Sequence, residues 1–292
     1  MSYPDDLRRL VDGHLETIHF SQGEGPDGAD TTGLDEAMRY SLLAGGKRIR
    51  PVLCLATAKA IGREPEEFLV AAGALEMVHT YSLVHDDLPA MDDDDLRRGK
   101  PTSHVKFGEA VAILAGDGLF AEAIAALAAV PAPPERVLEA VALLCSATGV
   151  EGMVGGQYID VSAPALDAEG LRHLHSLKTG RLIKASVEVA LALDGADAAT
   201  REPIQVFAAQ IGLLFQIVDD ILDVTGSDEE LGKPRGSDER HGKVTYVSLY
   251  GLDRARSLAT ETHDQALAAL AGAGGHTEDL KRIADYIYSR EQ

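Results

Sequence analysis

Apolar residues recur along most of this chain at the three- and four-residue spacing of amphipathic helices, and alternating strand patterns are scarce. This periodicity predicts an all-α fold, with Gly, Pro and Ser at the breaks between helices. The helices are expected at about 4–19, 34–44, 50–61, 65–88, 107–129, 135–161, 167–193, 201–224, 244–271 and 277–290. No linker long enough to separate two domains is present, so we expect one domain over 1–292, with 1–33 as a loosely ordered N-terminal segment.

Composition and charge argue against several classes of protein. The formal net charge of −20 argues against a nucleic-acid partner, which requires a basic surface. The N-terminus has neither the basic region nor the apolar core of a signal peptide, and no run approaches the roughly 18 apolar residues of a membrane span. Cys54 and Cys145 lie in apolar contexts typical of small buried hydrophobic residues, without disulfide or zinc spacing. We therefore expect a soluble cytoplasmic protein with no membrane span.

Two aspartate clusters lie about 130 residues apart, each at the end of a long predicted helix and inside an otherwise apolar segment. Their members are Asp86, Asp87 and Asp92 in the first motif, and Asp219, Asp220 and Asp223 in the second. Desolvating one carboxylate costs several kcal/mol, so such clusters need compensation. Oxygen ligands in this number suit Mg²⁺, which leaves positions for substrate phosphates. A lone acidic cluster is usually a solvated loop, but two, each followed by Lys or Arg, favour a metal site between facing helices.

Helical geometry predicts different arrangements for the two motifs. At about 100° per residue, Asp219 and Asp223 lie about 40° apart and share a helix face. Asp86 and Asp92 would lie about 240° apart on a continuous helix, which is no shared face. Pro89 cannot continue the hydrogen-bond ladder, so we expect the helix to end there and a turn to bring Asp92 back.

The residues after the first motif do not form a calcium loop. Arg97 occupies the position where an EF-hand loop needs glycine. Residues 93–95 are instead expected to face solvent or to pair with Arg97 and Arg98. Local bases of this kind, together with Mg²⁺, can hold an anionic ligand, because net charge does not decide the chemistry of a pocket.

Two further features allow both a structural and a functional interpretation. The turn at residues 45–51 joins two predicted helices, and helix capping with surface bases would explain it. Lys47 and Arg50 would also suit a phosphate, since Arg gives bidentate and Lys point-charge contacts. His79 lies about 20° from Asp86 on the helix, two turns deeper, although a lone helical histidine is more often structural.

Small and charged residues also interrupt the later helices. Lys178 and Thr179 are predicted to lie within a helix among apolar neighbours, which a solvated face does not explain well. Gly152, Gly155 and Gly156 cost a helix about 1 kcal/mol each. A close helix contact, or a wall beside a ligand, would justify them.

Taken together, these motifs resemble those of the trans-isoprenyl diphosphate synthases, the polyprenyl synthetase family, over residues 34–250. The matching segments are 45–51, 86–92, 97–102, 155–160, 178–180, 219–223, 232–233 and 242–246. The resemblance implies a single-domain helical bundle around a central active-site cavity, usually in a homodimer. It also implies Mg²⁺-dependent head-to-tail condensation of isopentenyl diphosphate with an allylic diphosphate, dimethylallyl or geranyl.

The resemblance further implies a role for each matching residue. The six aspartates would hold three Mg²⁺ around the allylic diphosphate, and the bases beside that diphosphate would be Arg97, Lys178, Lys243 and, close by, Lys233. The implied ligands of isopentenyl diphosphate are Lys47, Arg50, His79 and Arg98. Thr179 and Gln216 would face the allylic cation. The implied catalytic set is Asp86, Asp87, Asp92, Arg97, Lys178, Asp219 and Lys243.

Product length in this family depends on bulk below the first aspartate motif. Tyr81 stands five residues before Asp86, where the bacterial farnesyl synthases that the chain resembles carry an aromatic residue, and Ser82 follows it. Tyr81 lies about 140° from Asp86 on the helix, so periodicity alone leaves an ordinary core tyrosine open. The resemblance favours farnesyl diphosphate, with geranylgeranyl diphosphate as the alternative. The all-aspartate second motif and the Lys47 turn argue against a terpene cyclase, and the two intact motifs argue against an inactive regulatory subunit.

Overall fold

The computed structural model describes residues 3–21, 23, 30–162, 166–226 and 244–290, most of which are helical. The helices are α1 (Asp5–Glu16), α2 (Thr32–Leu42), α3 (Ile49–Ala60), α4 (Leu69–Asp86), α5 (Ser103–Phe107), α6 (Glu109–Ala128), α7 (Pro134–Thr148), α8 (Met153–Ser162), α9 (Ala168–His175), α10 (Arg181–Asp194), α11 (Ala198–Thr225), α12 (Tyr246–Tyr250), α13 (Leu252–Leu270) and α14 (Glu278–Ser289). A 3₁₀ turn (Pro65–Phe68), a π-helical turn (Ser176–Gly180) and a hairpin of β1 (Leu96–Arg97) and β2 (Lys100–Pro101) complete the described elements. The predicted all-α class is confirmed.

Four of the predicted helices are interrupted, each for a local reason. Pro65 starts the 3₁₀ turn that precedes α4, because proline suits a first helical position. The predicted helix at 135–161 stops at Gly149, and α8 begins only at Met153. Gly251, with φ of 79°, separates α12 from α13. The π turn adds a residue to the helical repeat between α9 and α10.

The bundle brings particular helix ends together. α4 packs against α6 and α3, α10 packs against α3, α7 and α11, and α11 packs against α13. Because α3 and α4 are joined by a short connection, the start of α3 lies beside the end of α4. The turn at 45–51 and the first aspartate motif therefore occupy the same end of the bundle.

The N-terminal segment is partly a packed element. Leu7, Val11 and Leu15 recur on one face of α1, are almost fully buried, and belong to the main apolar core. The expectation of a loosely ordered segment at 1–33 is therefore wrong for the residues of α1, since this amphipathic face has a partner in α3 and α4. The assignment of one domain stays a prediction.

Two expectations about apolar residues are corrected. The stretches Glu109–Ala128, Pro134–Ser162 and Ala198–Thr225 are long and apolar enough to cross a membrane, judged by length and composition only, so the expectation that no run approaches this size is wrong. Their most apolar windows are 33%, 33% and 56% buried, respectively, so the first two present apolar side chains outward. Cys54 is buried as expected, and burial raises its pKa to about 12, whereas Cys145 is exposed.

Candidate active site

The first aspartate motif follows the end of α4. The helix ends at Asp86, three residues before Pro89, and the backbone amide of Asp92 donates to the Asp86 carbonyl oxygen at 2.9 Å. The prediction that a turn would bring Asp92 back is therefore confirmed, although the helix ends earlier than predicted. Asp93 adopts the left-handed conformation with φ of 54°, which takes the chain out of this turn.

A tight hairpin after this motif carries two adjacent arginines. Arg98 and Gly99 connect its two strands, and both have positive φ, 54° and 74°, as a two-residue type I′ turn requires. The Nε atom of Arg97 donates to Oδ1 of Asp87 at 2.6 Å, and its Nη2 lies 3.4 Å from Oδ2 of Asp94. Arg97 thus pairs with one of residues 93–95, as predicted, and with the motif itself.

This ion pair works against the effect of burial on both partners. Burial raises the pKa of Asp87 and the Arg97 hydrogen bond lowers it, with a net increase. Burial lowers the pKa of Arg97, but the hydrogen bond and charge of Asp87 outweigh it and leave the pKa raised. Arg97 is therefore a fixed positive charge beside the first motif.

Arg98 turns the other way, onto the turn at 45–51. Its Nη1 atom donates to the Gly45 carbonyl oxygen, and a Cβ atom at Gly46 would lie 2.6 Å from its Cζ atom. Gly46 also has φ of 120°, so the guanidinium requires glycine there for two reasons. The glycines of this turn thus provide a surface for Arg98, in addition to ending a helix.

Three of the four residues predicted to hold isopentenyl diphosphate lie within each other's electrostatic field. Burial lowers the pKa of Arg50 to about 10; the charge of Glu76 opposes this decrease and that of Arg98 adds to it. Burial, followed by the charges of Arg50 and Arg98, lowers the pKa of His79 well below its ordinary value. His79 is therefore neutral near pH 7. Lys47 is exposed at the edge, with its Nζ atom 5.2 Å from the centre of the Tyr286 ring.

A third base of the turn at 45–51, Arg48, is buried and has a structural role. Arg48 is 4% exposed and donates to Glu76 Oε1 at 2.6 Å, to Asp12 Oδ1 at 3.0 Å and to the Leu42 carbonyl oxygen at 2.9 Å. Burial lowers the pKa of Arg48, but Glu76 and Asp12 leave it raised. Its own φ of 54° lets the side chain turn inward immediately before α3.

Lys178 lies in the π turn and faces two aspartates. Its Nζ atom donates to Asp160 Oδ2 at 2.6 Å. Burial raises the pKa of Asp86 to about 6, and the charge of Lys178 is the largest effect that lowers it. A Cβ atom at Gly156 would lie 2.6 Å from the Lys178 Cα atom, so α8 approaches the π turn closely only because residue 156 is glycine. The structure thus gives this glycine the close helix contact that the sequence suggested.

The second motif occupies the last turns of α11, and its aspartates have different surroundings. Asp220 and Asp223 are buried, at 6% and 2% exposure, and the backbone amide of Tyr246 donates to Asp220 Oδ2 at 2.6 Å. Asp219 is exposed, 3.9 Å from Nη2 of Arg290, and its charge raises the pKa of Arg50. The second motif therefore faces the turn at 45–51. Sequence reasoning missed Arg290, which lies near the end of α14.

The remaining candidates are placed as follows. Thr179 and Gln216 are half-buried, in the π turn and in α11. Lys233 and Lys243 lie outside the described residues, so the structure does not place them.

The carboxylates of the two aspartate motifs suit Mg²⁺ that is bound together with a substrate phosphate. Among the described residues, no three or more His, Cys, Asp or Glu side chains converge on one metal position. Mg²⁺ is usually bound by one or two carboxylates, with water and substrate phosphates as the other ligands. Carboxylates distributed over two helix ends, with bases beside them, match that pattern better than a closed protein cage.

Aromatic residues lie below the first motif. The Tyr81 ring contacts the Phe120 ring of α6 edge to face, with centroids 5.3 Å apart, and the His85 ring at 5.7 Å. Burial, followed by the charge of Asp86, raises the pKa of Tyr81 to about 12, which places this tyrosine near the motif despite the helical angle. Ser82 donates to the His79 carbonyl oxygen at 2.8 Å. Phe120 was missed, although it is the single aromatic residue in the sequence of α6.

Comparison with known proteins agrees with this fold. The polyprenyl synthetase family model matches residues 31–287. The chain is 47% identical to a heterodimeric geranylgeranyl pyrophosphate synthase large subunit of Arabidopsis thaliana, over 88% of this chain and 72% of the relative. It is 45% identical to a farnesyl diphosphate synthase of Geobacillus stearothermophilus, over 88% and 89%. A geranyltransferase of Helicobacter pylori, solved with magnesium and isoprenyl diphosphate, superposes with a TM-score of 0.84 at 31% identity, over 99% and 98%. The chain belongs to the polyprenyl synthetase family.

The close approach at Gly156 leads to a stability prediction. Gly156→Ala is expected to lower the free energy of unfolding by about 1–3 kcal/mol, because the added methyl group overpacks against the backbone of Lys178. Gly13→Ala is the matched control, since a Cβ atom in that helix meets nothing within 4 Å, and it should raise stability by about 0.5–1 kcal/mol. Chemical denaturation of both variants measures the difference. Equal effects would mean that α8 can move away from the π turn at no cost.

Proposed function

We propose that this protein joins isopentenyl diphosphate head to tail to dimethylallyl and geranyl diphosphates, with Mg²⁺ as cofactor, and releases farnesyl diphosphate. The observation that carries the proposal is the arrangement at one end of the bundle. Arg97 and Lys178 lie beside the first aspartate motif, while Arg50, His79 and Arg98 form a second basic group next to it. Two adjacent groups of bases can bind two diphosphate substrates, and the carboxylates beside one group can bind Mg²⁺. This matches a reaction in which only one of the two substrates loses its diphosphate.

The aspartate side of the site would hold the allylic diphosphate. Asp86, Asp87, Asp92, Asp219, Asp220 and Asp223 would bind Mg²⁺, three ions in all. When bound, the metal would neutralise the charge that develops on the departing diphosphate. Arg97 and Lys178 add fixed positive charge at the same place, and we assign Lys233 and Lys243 to it from the motif resemblance.

The basic side would hold isopentenyl diphosphate through Lys47, Arg50, His79 and Arg98. His79 would act as a neutral hydrogen-bonding group, because burial and the neighbouring arginines lower its pKa. A neutral imidazole adds no charge to this already cationic cluster. His79 would therefore contribute more to the orientation of the bound phosphate than to the strength of binding.

The bond changes need no side-chain nucleophile. The carbon–oxygen bond of the allylic diphosphate breaks, and both electrons leave with the diphosphate. The double bond of isopentenyl diphosphate supplies the electrons of the new carbon–carbon bond, and the released diphosphate takes the proton that is lost. Thr179 and Gln216 would stabilise the developing cation through their oxygen dipoles.

A matched set of variants tests the metal assignment. Asp86→Asn and Asp219→Asn should lower turnover on the order of a thousandfold, because metal and preorganised charge contribute several kcal/mol in the transition state. Asp95→Asn, whose exposed side chain follows the same motif, should keep turnover near the wild-type rate. Diphosphate release at saturating substrate, with and without a chelator, is the measurement. Near-normal release by either motif variant, or by the chelated wild type, would remove the metal from the proposal.

The edge-to-face pair of Tyr81 and Phe120 supports farnesyl diphosphate as the product. Two aromatic rings in edge-to-face contact, one of them close enough to Asp86 to feel its charge, would form a bulkier wall than a single smaller residue. Relatives of similar identity are described as geranylgeranyl and as farnesyl synthases, so overall similarity does not choose between the products. Geranylgeranyl diphosphate is the second candidate.

Product analysis by chromatography tests this wall. Tyr81→Ala and Phe120→Ala should each shift product from 15 carbons toward 20, because each removes half of the contact. Phe20→Ala is the control, a partly buried aromatic packed against the core elsewhere, and should leave product length unchanged. Such truncations cost about 3–5 kcal/mol in well-packed cores, so the folded fraction is measured first. Folded variants that still stop at 15 carbons would place the wall elsewhere, and a wild type that makes 20 carbons would refute the farnesyl assignment.

We also propose a homodimer formed through α6, α7 and α8. These neighbouring helices expose large apolar side chains, among them Leu114, Leu138 and Tyr158 at 55%, 70% and 72%. Large exposed apolar side chains grouped on neighbouring helices mark a protein–protein interface more often than a solvated face. The cytoplasmic location expected from the sequence stays a prediction.

Light scattering over a range of protein concentrations tests the dimer. Leu114→Glu should shift the protein from twice the monomer mass to the monomer mass, since a charge buried in an apolar interface is costly. Val206→Glu, an exposed apolar position on α11, should leave the mass unchanged. A monomeric wild type, or a dimer that tolerates Leu114→Glu, would contradict this interface.

A further inference from the structure

We propose that Tyr3 is a positioning residue for isopentenyl diphosphate: with Tyr286, it fixes the main chain and side chain of Lys47 in the basic turn. The inference rests on the proposed function, which places isopentenyl diphosphate at that turn. It assigns a role to the N-terminal residues before α1. The sequence had given these residues none.

The first contact fixes the backbone of the turn. The Tyr3 hydroxyl donates to the Lys47 carbonyl oxygen at 2.7 Å, across 44 positions of sequence. Tyr3 is 7% exposed, so water competes little for this bond. Burial, followed by the neighbouring Tyr286 and Glu76, raises the pKa of Tyr3 well above its ordinary value, and the hydroxyl therefore remains a donor.

The second contact fixes the side chain of the same lysine. The Tyr3 and Tyr286 rings pack with centroids 4.7 Å apart, and the Lys47 Nζ atom lies 5.2 Å from the centre of the Tyr286 ring. A cation at this distance from an aromatic ring is attracted to its face. The two tyrosines thus restrain both the main chain and the ammonium group of one exposed lysine before substrate arrives.

The third set of contacts holds Tyr3 itself. Arg282 Nη2 donates to the Tyr3 carbonyl oxygen at 2.9 Å, and its Nη1 donates to Asp279 Oδ1 at 2.7 Å. Asp279 in turn pairs with Lys59 of α3. Tyr3 is therefore attached to α14, and α14 is attached to the last turn of α3.

Two roles of Tyr3, positioning Lys47 and filling the core, depend on different parts of its side chain. Filling the core requires the Tyr3 ring, whereas holding the Lys47 carbonyl requires only its hydroxyl. Tyr3→Phe removes the hydroxyl and keeps the ring. An ordered lysine loses less conformational entropy on binding a phosphate, so loss of the restraint should appear as weaker substrate binding.

The experiment measures binding of isopentenyl diphosphate by calorimetry without an allylic substrate, so that no turnover occurs. Tyr3→Phe should weaken this binding about 3- to 10-fold, the range expected when one additional side chain must be ordered on binding. Its KM for isopentenyl diphosphate should rise to match, while the KM for geranyl diphosphate and the thermal midpoint change little. Tyr288→Phe is the matched control, because its hydroxyl lies 3.0 Å from Thr260 Oγ1, a side chain of α13 that is not part of the basic turn.

Two further variants test the lysine contact and the proposed substrate site separately. Tyr286→Leu removes the ring near the lysine without altering the N-terminus, and should also weaken isopentenyl diphosphate binding if Tyr3→Phe folds poorly. Lys47→Ala tests the underlying site, since it should lose more affinity than either tyrosine variant. Wild-type affinity in folded Tyr3→Phe, or an equal loss for both substrates, would overturn the positioning role. Wild-type affinity in Lys47→Ala would instead overturn the placement of isopentenyl diphosphate.

Discussion

The basic side of the site depends on one buried ion pair, between Arg48 and Glu76. A charge removed from water is tolerated only when its partner and hydrogen bonds compensate it, and loss of one partner typically costs 3–5 kcal/mol. Arg48 also binds Asp12 of α1 and the last carbonyl of α2, so one guanidinium joins α1, α2 and α4 at the start of α3. Lys47 and Arg50 flank it in sequence, and their positions follow from this attachment.

Glycine sets the width of the pocket as firmly as charge does. Gly46 lies under Arg98, Gly156 against Lys178, and a Cβ atom at Gly212 would lie 3.2 Å from the Gly180 Cα atom. Each approach brings a backbone or a base closer than a methyl group would permit. The bundle can therefore place cations within reach of carboxylates on other helices, although Gly156 and Gly212 weaken the helices that contain them.

Much of the fold and of the site could be predicted from local sequence. Helical periodicity gave the class, and Pro89 together with the spacing of the first motif gave the turn that returns Asp92. The errors came from contacts distant in sequence. Nothing near Arg48 in the sequence indicates that Glu76 pairs with it, Phe120 contacts Tyr81 from another helix, and nothing near Cys145 indicates which face of α7 meets α10. Periodicity describes one helix at a time, and these properties belong to pairs of helices.

The hairpin after the first motif uses two neighbouring residues for opposite purposes. Arg97 is extended and pairs with Asp87, whereas Arg98 is left-handed and reaches Gly45. A two-residue connection does not tolerate a change of length, because one additional residue would change the turn type and rotate Arg98 away from the Gly45 carbonyl oxygen. Tolerance to insertion should therefore be lowest at this surface loop, where exposed loops ordinarily accept changes in length most readily.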